Sequence, residues 1–373
     1  MIMRSIVFIQ NLFSPYRSYF FNSLYKKVPN FKVYYMGKTE KDRSWDYNKI
    51  DMSHPYWLDK WGFYFMLFGY HIHINPVLVC KVAFCNKISD VILGVSYNDF
   101  NILILAFLKH LRLTKSRFHF WAEANYLTIG ARKDSTLKRW LRKFVYSAVD
   151  GYFIVPGKMS VETFERWGFL NNKYIFVPNT IDEANMIYDA ESKKCNRCPM
   201  FLLPVRLNEK IKGILNFFNS IGVDNIKKAR FIIAGDGPDY DSYMKYIVSN
   251  KLQDHIELKG FCDSKEMNSL YNMVDAIILP SFSDPSPLSL VEALRFHLPI
   301  LCSSHCGNHF EAVEAGINGF VFSPLDSNEI KEKFEFFINS SSKWKEMGNR
   351  SWEKYCSTFE TNQVVNNLMR DFI

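Results

Sequence analysis

The sequence predicts an α/β protein made of two Rossmann-like halves facing each other across a cleft. Short β-branched and aromatic runs recur between longer helical patterns, the alternation expected of βα units on a parallel sheet. The same alternation appears twice, once on each side of a polar segment near the middle. A chain of 373 residues is also too long for one ordinary core and comfortable for two.

In the first half the strand candidates are 5–10, 32–36, 91–95, 118–123, 151–155 and 173–177. In the second they are 200–205, 230–234, 256–258, 276–279, 300–303 and 319–322, each followed by a Gly, Pro or Ser turn and a helical stretch. Residues 179–199 form the polar piece between them, with Glu191, Lys193, Lys194 and Arg197 clustered and no strong periodicity, as in a linker. The predicted division is therefore 1–185 and 186–355, with a helix-like tail over 356–373. In paired α/β halves the ligand site is expected in the cleft at the carboxyl ends of the strands.

Composition narrows the classes. Hydrophobic residues make up 48% of the chain and no low-complexity tract occurs, which argues against a disordered or fibrous protein. The apolar run over 5–10 is too short for a secretory signal core, and the most hydrophobic stretch, 56–84, is interrupted by Asp59, Lys60, His71, His73 and Lys81. A cytoplasmic chain without a membrane span is expected. Of the 8 cysteines only Cys195 and Cys198 form a close pair, and no second pair completes a zinc site, so reduced thiols are expected. The net charge of +8 points to an anionic partner. Nucleic acid is the weakest choice, because the cations are spread and no recognised module is present.

One segment concentrates positive charge. Leu137, Trp140, Leu141, Phe144, Val145 and Ala148 fall at helical spacing, while Arg132, Lys133, Lys138, Arg139, Arg142 and Lys143 crowd the other faces. Two readings stay open: a core stripe with a solvated basic face, or a helix lying on an anionic membrane surface. The rings of Tyr56, Trp57, Trp61, Phe63, Tyr64, Phe65 and Phe68 beside Lys60 and His71 suit a bilayer interface, and equally a packed core.

Residues 280–294, PSFSDPSPLSLVEAL, carry the strongest chemical signal. After the buried strand run, Ser286 reads as an N-cap and Pro287 as the first helical residue, with the helix ending before Pro299. The N–H groups of Leu288 and Ser289 would then lack intrahelical partners at the positive end of the helix dipole, an arrangement that favours phosphate. Asp284 precedes the helix and Glu292 lies in its second turn; carboxylates at these two places can accept hydrogen bonds from sugar and ribose hydroxyls.

The pattern Asp284-x7-Glu292, followed by Leu298-Pro299-Ile300, Gly307, Glu311 and Gly316-x2-Gly319, resembles the E-x7-E signature of the group 1 (family 4) glycosyltransferases. It departs from that signature in having Asp, one methylene shorter, as the first acid. Arg206 and Lys212 resemble the family's diphosphate clamp, with Lys210 a rival for the second role; Arg offers a planar fork of donors and Lys a point charge. Gly237, in Ala234-Gly-Asp-Gly-Pro238, resembles the glycine turn of the donor half, and Phe261 the turn beside the nucleobase. In the first half, Tyr16 and Arg17 resemble a subset bearing a PYR sequence and are expected on the acceptor side. Glu123 is the candidate for the strand-end acid, with His119 as alternative and a local salt bridge as the plainer reading of Glu123.

The resemblance implies a GT-B fold, with an acceptor-binding half over 1–185, a donor-binding half over 186–355 and the tail over 356–373 crossing back onto the first. It implies retaining transfer of a sugar from a nucleotide-diphosphate sugar, UDP-sugar before GDP-sugar, to a glycan or lipid-linked acceptor, as in surface polysaccharide or O-antigen assembly. Asp284, Glu292 and Glu123 would be catalytic; Arg206, Lys212, Gly237, Phe261, Ser286, Leu288, Ser289 and Glu292 would hold the donor. No metal or other cofactor is expected, and His305 and His309 read as donor-pocket or surface residues. Peripheral contact with the cytoplasmic face of the inner membrane is expected. The alternatives are a sugar-nucleotide epimerase of the same architecture and a non-catalytic binding subunit.

Overall fold

The computed structural model describes residues 5–40, 49–67, 70–127, 135–170, 173–191 and 198–372. Arg132, Lys133, Phe68, Lys193, Lys194, Cys195 and Arg197 lie outside them. Strands β1 (Ile6–Gln10), β2 (Phe31–Tyr35) and β3 (Tyr56–Leu58), the hairpin strands β4 (Phe63–Leu67) and β5 (Tyr70–Ile74), then β6 (Asp90–Leu93), β7 (Arg117–Trp121), β8 (Tyr152–Val155) and β9 (Lys173–Phe176) belong to the first half. The second contains β10 (Met200–Pro204), β11 (Arg230–Ala234), β12 (Ile256–Gly260), β13 (Ala276–Leu279), β14 (Ile300–Ser303) and β15 (Gly319–Phe322).

The first sheet runs β3-β2-β1-β6-β7-β8-β9 and the second β12-β11-β10-β13-β14-β15. All neighbours in both are parallel. Strands β1, β6, β13 and β14 are almost wholly apolar, as buried parallel strands must be when helices cover both faces. In each sheet the winding reverses once, between β1 and β6 and between β10 and β13, and side chains reaching past the strand ends at such reversals line a crevice.

The second half has one core, from Ile181 to Phe359. The first has a core on each sheet face. Helix Thr361–Phe372 joins the latter: Val364, Val365, Leu368 and Phe372 pack with Phe8, Val33 and Ile154. The chain thus crosses outward between Val177 and Ile181 and back after Phe359. Glu183 ties the two crossings, its Oε1 accepting from the Tyr355 hydroxyl at 2.7 Å and the Thr361 N–H at 2.8 Å.

β3 and the antiparallel β4–β5 hairpin are absent from the sequence reading, because dense aromatics mask the period of two. The hairpin leaves Trp61, 74% exposed, and Phe63, 67% exposed, at the surface. Helix Thr136–Tyr146 also exposes Leu137 and Trp140, at 65% and 59%, beside exposed Lys138, Arg139 and Lys143. Arg142 corrects the expected solvated face: it is buried, its guanidinium 4.4 Å from the Trp167 ring and 5.7 Å from that of Tyr97. The exposed turn of the helix is thus its N-terminal one, while the C-terminal turns bury Val145 and Tyr146. Among the described residues no helix is long and apolar enough to cross a membrane.

Candidate active site at the junction of the two sheets

On the second half the site is built from the loops after β10 and β13, the two strands at the winding reversal. Gly213 adopts φ +60°, ends the short helix Glu209–Lys212, and sits where a Cβ would come within 2.9 Å of the Pro280 carbonyl. That close approach lays one loop on the other and brings Lys212 Nζ to 2.5 Å from Asp284 Oδ2. Lys210 is exposed, and of the two lysines it is Lys212 that meets an acid of the cleft. Arg206 is exposed and makes no ion pair among the described residues. Its loop is fixed from below: Cβ atoms at Gly235 and Gly237 would fall 2.1 Å from the Val205 carbonyl and 2.3 Å from that of Leu207. Gly237 therefore acts by close packing beneath Arg206. Phe261 is exposed at the end of edge strand β12.

The helix after β13 spans Leu288–Arg295 and its N-cap is Pro287. Ser286 is not the cap: its Oγ accepts from Asn179 Nδ2 at 3.1 Å, reaching across to the first half. The helix starts one position later than expected because that serine is used between the halves. Leu288 and Ser289 remain the first two N–H groups of the helix. Glu292 accepts a 2.5 Å hydrogen bond from the Tyr271 hydroxyl. Burial pushes the Glu292 carboxyl up from its ordinary value, and the Tyr271 bond pulls it partly back.

On the first half, helix Pro15–Tyr25 begins directly after the β1 loop, with proline in its first turn. Arg17 lies flat on Trp121, 4.0 Å from the ring, and donates to Glu123 Oε1 at 3.1 Å. Asn179 donates to the same oxygen at 2.9 Å. Glu123 thus has both the local salt bridge and a place in the cleft. His119, its alternative, is fully buried: Nδ1 accepts from the Tyr152 N–H at 2.9 Å, so Nε2 donates to Asp90 at 3.0 Å. The edge of Phe372 packs on its ring. It is a core residue that burial keeps neutral.

These residues enclose a cleft of about 380 Å³. Tyr16, Glu123 and Asn179 line it from one side, and Asp284, Ser286, Pro287, Leu288, Ser289 and Glu292 from the other. Arg17 and Lys212 act behind this lining through Glu123 and Asp284, whereas Arg206, Gly237 and Phe261 stand outside it. Sequence reasoning missed Asn179, Tyr271 and the bridging role of Glu311. Glu311 Oε1 accepts from the Lys158 N–H at 2.7 Å, so a residue of the second half closes the N-terminus of helix Lys158–Arg166 in the first. No local signal could pair positions 153 residues apart.

The histidine pair is otherwise engaged: Nδ1 of His305 faces the Phe282 carbonyl at 2.8 Å and Nδ1 of His309 the Cys306 carbonyl at 2.7 Å. Among the described residues no three His, Cys, Asp or Glu side chains are grouped to hold a metal ion.

Two parallel α/β halves meeting at the carboxyl ends of their strands, with a helix N-terminus and a carboxylate pair at the junction, define the GT-B fold class. Structural likeness agrees over nearly the whole chain. Anabaena Alr3699/HepE, solved with UDP and glucose, superposes with a TM-score of 0.72 at 14% identity, covering 99% of both chains. Sucrose-phosphate synthase from Thermosynechococcus elongatus gives 0.74 at 12% identity, covering 99% of this chain and 98% of that one. Residues 190–354 match the model for glycosyl transferases group 1. Alpha-monoglucosyldiacylglycerol synthase of Acholeplasma laidlawii is 32% identical over 118 residues, 31% of this chain and 28% of that protein. The O-antigen biosynthesis glycosyltransferase WclY of Escherichia coli is 26% identical over 153 residues, 36% of this chain and 40% of that protein. The alignments thus reach well under half the length of these curated relatives.

Proposed function

We propose that the protein is a retaining glycosyltransferase that moves a sugar from a nucleotide-diphosphate sugar, UDP-sugar first, to a glycan or lipid-linked acceptor in surface polysaccharide or O-antigen synthesis. The observation that carries this is the convergence of Asp284, the Leu288 helix N-terminus and Glu292 on one wall of a cleft whose other wall presents Glu123 and Tyr16. The first two N–H groups of the helix and Arg206 offer donors to a departing diphosphate, whose charge grows as the glycosidic bond breaks. Lys212 joins them as the diphosphate competes with Asp284 for its ammonium, and Asp284 is then released towards the sugar hydroxyls. Glu292 holds the ribose. The acceptor approaches past Tyr16, Arg17 and Glu123, and its hydroxyl proton leaves with the nucleotide diphosphate.

A lipid-linked acceptor is supported by the surface of the first half. Trp61 and Phe63 on the hairpin, and Leu137 and Trp140 among Lys138, Arg139 and Lys143, combine exposed apolar rings with cations, the composition that anionic bilayers bind. Relatives named for diacylglycerol and O-antigen products point the same way.

The test is product analysis. Purified protein given UDP- and GDP-sugars with lipid-linked acceptors should release nucleoside diphosphate only when acceptor is present, and the new linkage should keep the donor's anomeric configuration by NMR. Inversion would exclude the retaining mechanism. Turnover of donor alone to an isomerised sugar would favour the epimerase.

A further inference from the structure

Glu292 is the acid of the cleft whose carboxylate is held by a neutral hydroxyl, from a neighbouring helix. Tyr271, on helix Ser264–Met273, is fully buried and stacks on Phe296 with centroids 5.0 Å apart and planes at 19°. Its hydroxyl meets Glu292 Oε2 at 2.5 Å. Oε1 has no hydrogen-bond partner among the described residues, and Glu292 lines the cleft. A buried tyrosine needs an acceptor for its hydroxyl. Here that acceptor is the acid assigned to the ribose.

We propose that Tyr271 is a positioning residue for nucleotide recognition: by fixing one oxygen of Glu292 it presents the other, in one orientation, to the ribose diol. The inference rests on the donor-site reading above. A glutamate on a helix otherwise samples several rotamers and loses that freedom when a ligand binds. The tyrosine restricts it beforehand, and its hydrogen bond partly offsets the upward push that burial gives the carboxyl.

The experiment compares affinities of UDP and GDP with those of their 2′,3′-dideoxy forms, by calorimetry, for the wild type, Glu292→Gln and Tyr271→Phe. The dideoxy forms lack the hydroxyls in question, so the affinity ratio reads that contact alone, which a purely structural role of Tyr271 would not move. In the wild type the ratio should be about tenfold or more, as for hydrogen bonds to a charged group. Tyr271→Phe keeps the buried ring and should bring the ratio to within about threefold of unity, with unchanged far-UV circular dichroism. Phe296→Leu, which loosens the ring without touching hydroxyl or carboxyl, should give an intermediate ratio. A full ratio in both variants, with the ratio lost in Glu292→Gln, overturns the role of Tyr271 and leaves the donor-site reading standing. A full ratio in Glu292→Gln overturns both.

Discussion

The two walls of the cleft are built on different plans. On the proposed donor side Lys212, Asp284, Arg206 and Glu292 are set by contacts within their own half, and only Ser286 among its residues is held from across the junction. Lys212 meets Asp284 because Gly213 lets one loop lie on the next, Arg206 rides on the Gly235 and Gly237 turn, and Glu292 is held by Tyr271. On the acceptor side Glu123 depends on Arg17, which is stacked on Trp121, and on Asn179 from the crossing, which also holds Ser286 of the opposite half. Further bonds across the junction, Asn125 to the His305 carbonyl at 3.3 Å and the Lys158 N–H to Glu311, are of the same kind. A donor site of the first plan exists whatever the distance between the halves. The proposed acceptor side is tied to the opposite half through Asn179, as expected where closure excludes water from the reaction.

Variants on the two walls should therefore fail differently. The largest effect is expected for Asp284→Asn, which should lower turnover about 100-fold, the scale seen when one charge-stabilising group is lost from a transition state. Nucleotide affinity should not fall, and should rise if the diphosphate no longer competes with Asp284 for the Lys212 ammonium. Glu123→Gln should instead raise the KM for acceptor and leave donor affinity alone. If both variants altered donor affinity equally, the division between the walls would be wrong.

Arg206→Ala comes next. Because Arg206 is exposed and has no ion-pair partner among the described residues, its loss should leave the melting temperature unchanged. Nucleotide diphosphate affinity should fall about 10-fold or more, the value of a charge-assisted hydrogen bond of about 1.5–3 kcal/mol. A parallel drop in stability would show that Arg206 supports the loop and not the ligand.

A smaller effect is expected at the outer surface. Replacing Leu137 and Trp140 by Ser and Lys138 and Arg139 by Glu should reduce sedimentation with vesicles rich in anionic phospholipid, each cation contributing about 1 kcal/mol near such a surface. Activity on a water-soluble acceptor should persist. Unchanged vesicle binding would remove the support this helix gives to a lipid-linked acceptor.

The smallest effect concerns pH. His54 is buried between the Asn22 amide oxygen and the Tyr35 hydroxyl, and burial lowers its pKa from 6.5 to about 4. The unfolded chain then binds a proton that the folded first half refuses, so this contribution to stability is complete above about pH 6.5 and is lost as pH falls towards 4. The acid slope of the melting temperature should be shallower in His54→Gln. An identical slope would mean that His54 does not govern the acid sensitivity of this half.

The same contrast explains what the sequence disclosed. Mainly apolar runs such as 230–234, 276–279 and 300–303, polar only at the end residues Arg230 and Ser303, match observed strands residue for residue, because buried parallel strands have no polar face to blur their pattern. Asp284 and Glu292 are legible as a pair because strand, loop and helix follow one another within twenty residues of sequence, 276–295. Contacts between distant segments are not legible. Ser286 has the composition of an N-cap but is claimed by Asn179, Arg142 has the composition of a surface cation but lies over Trp167, and His119 sits one register inside the strand whose end carries Glu123. Tyr271 reads as one more apolar position of a helix until its hydroxyl is seen against Glu292. The aromatic hairpin escapes notice because rings on both faces erase the alternation that marks a strand.

The central claim, that the second half binds a nucleotide-diphosphate sugar at the Leu288 helix N-terminus with Arg206 on the diphosphate, is tested most directly by thermal stabilisation against UDP-, GDP-, ADP-, dTDP- and CMP-sugars without added metal. A ligand at about 100 times its Kd stabilises the folded protein by about 2.7 kcal/mol. Melting temperature should rise with one nucleotide family, UDP before GDP, and the rise should be lost in Arg206→Ala. No rise with any of them, or an equal rise in Arg206→Ala, would contradict it.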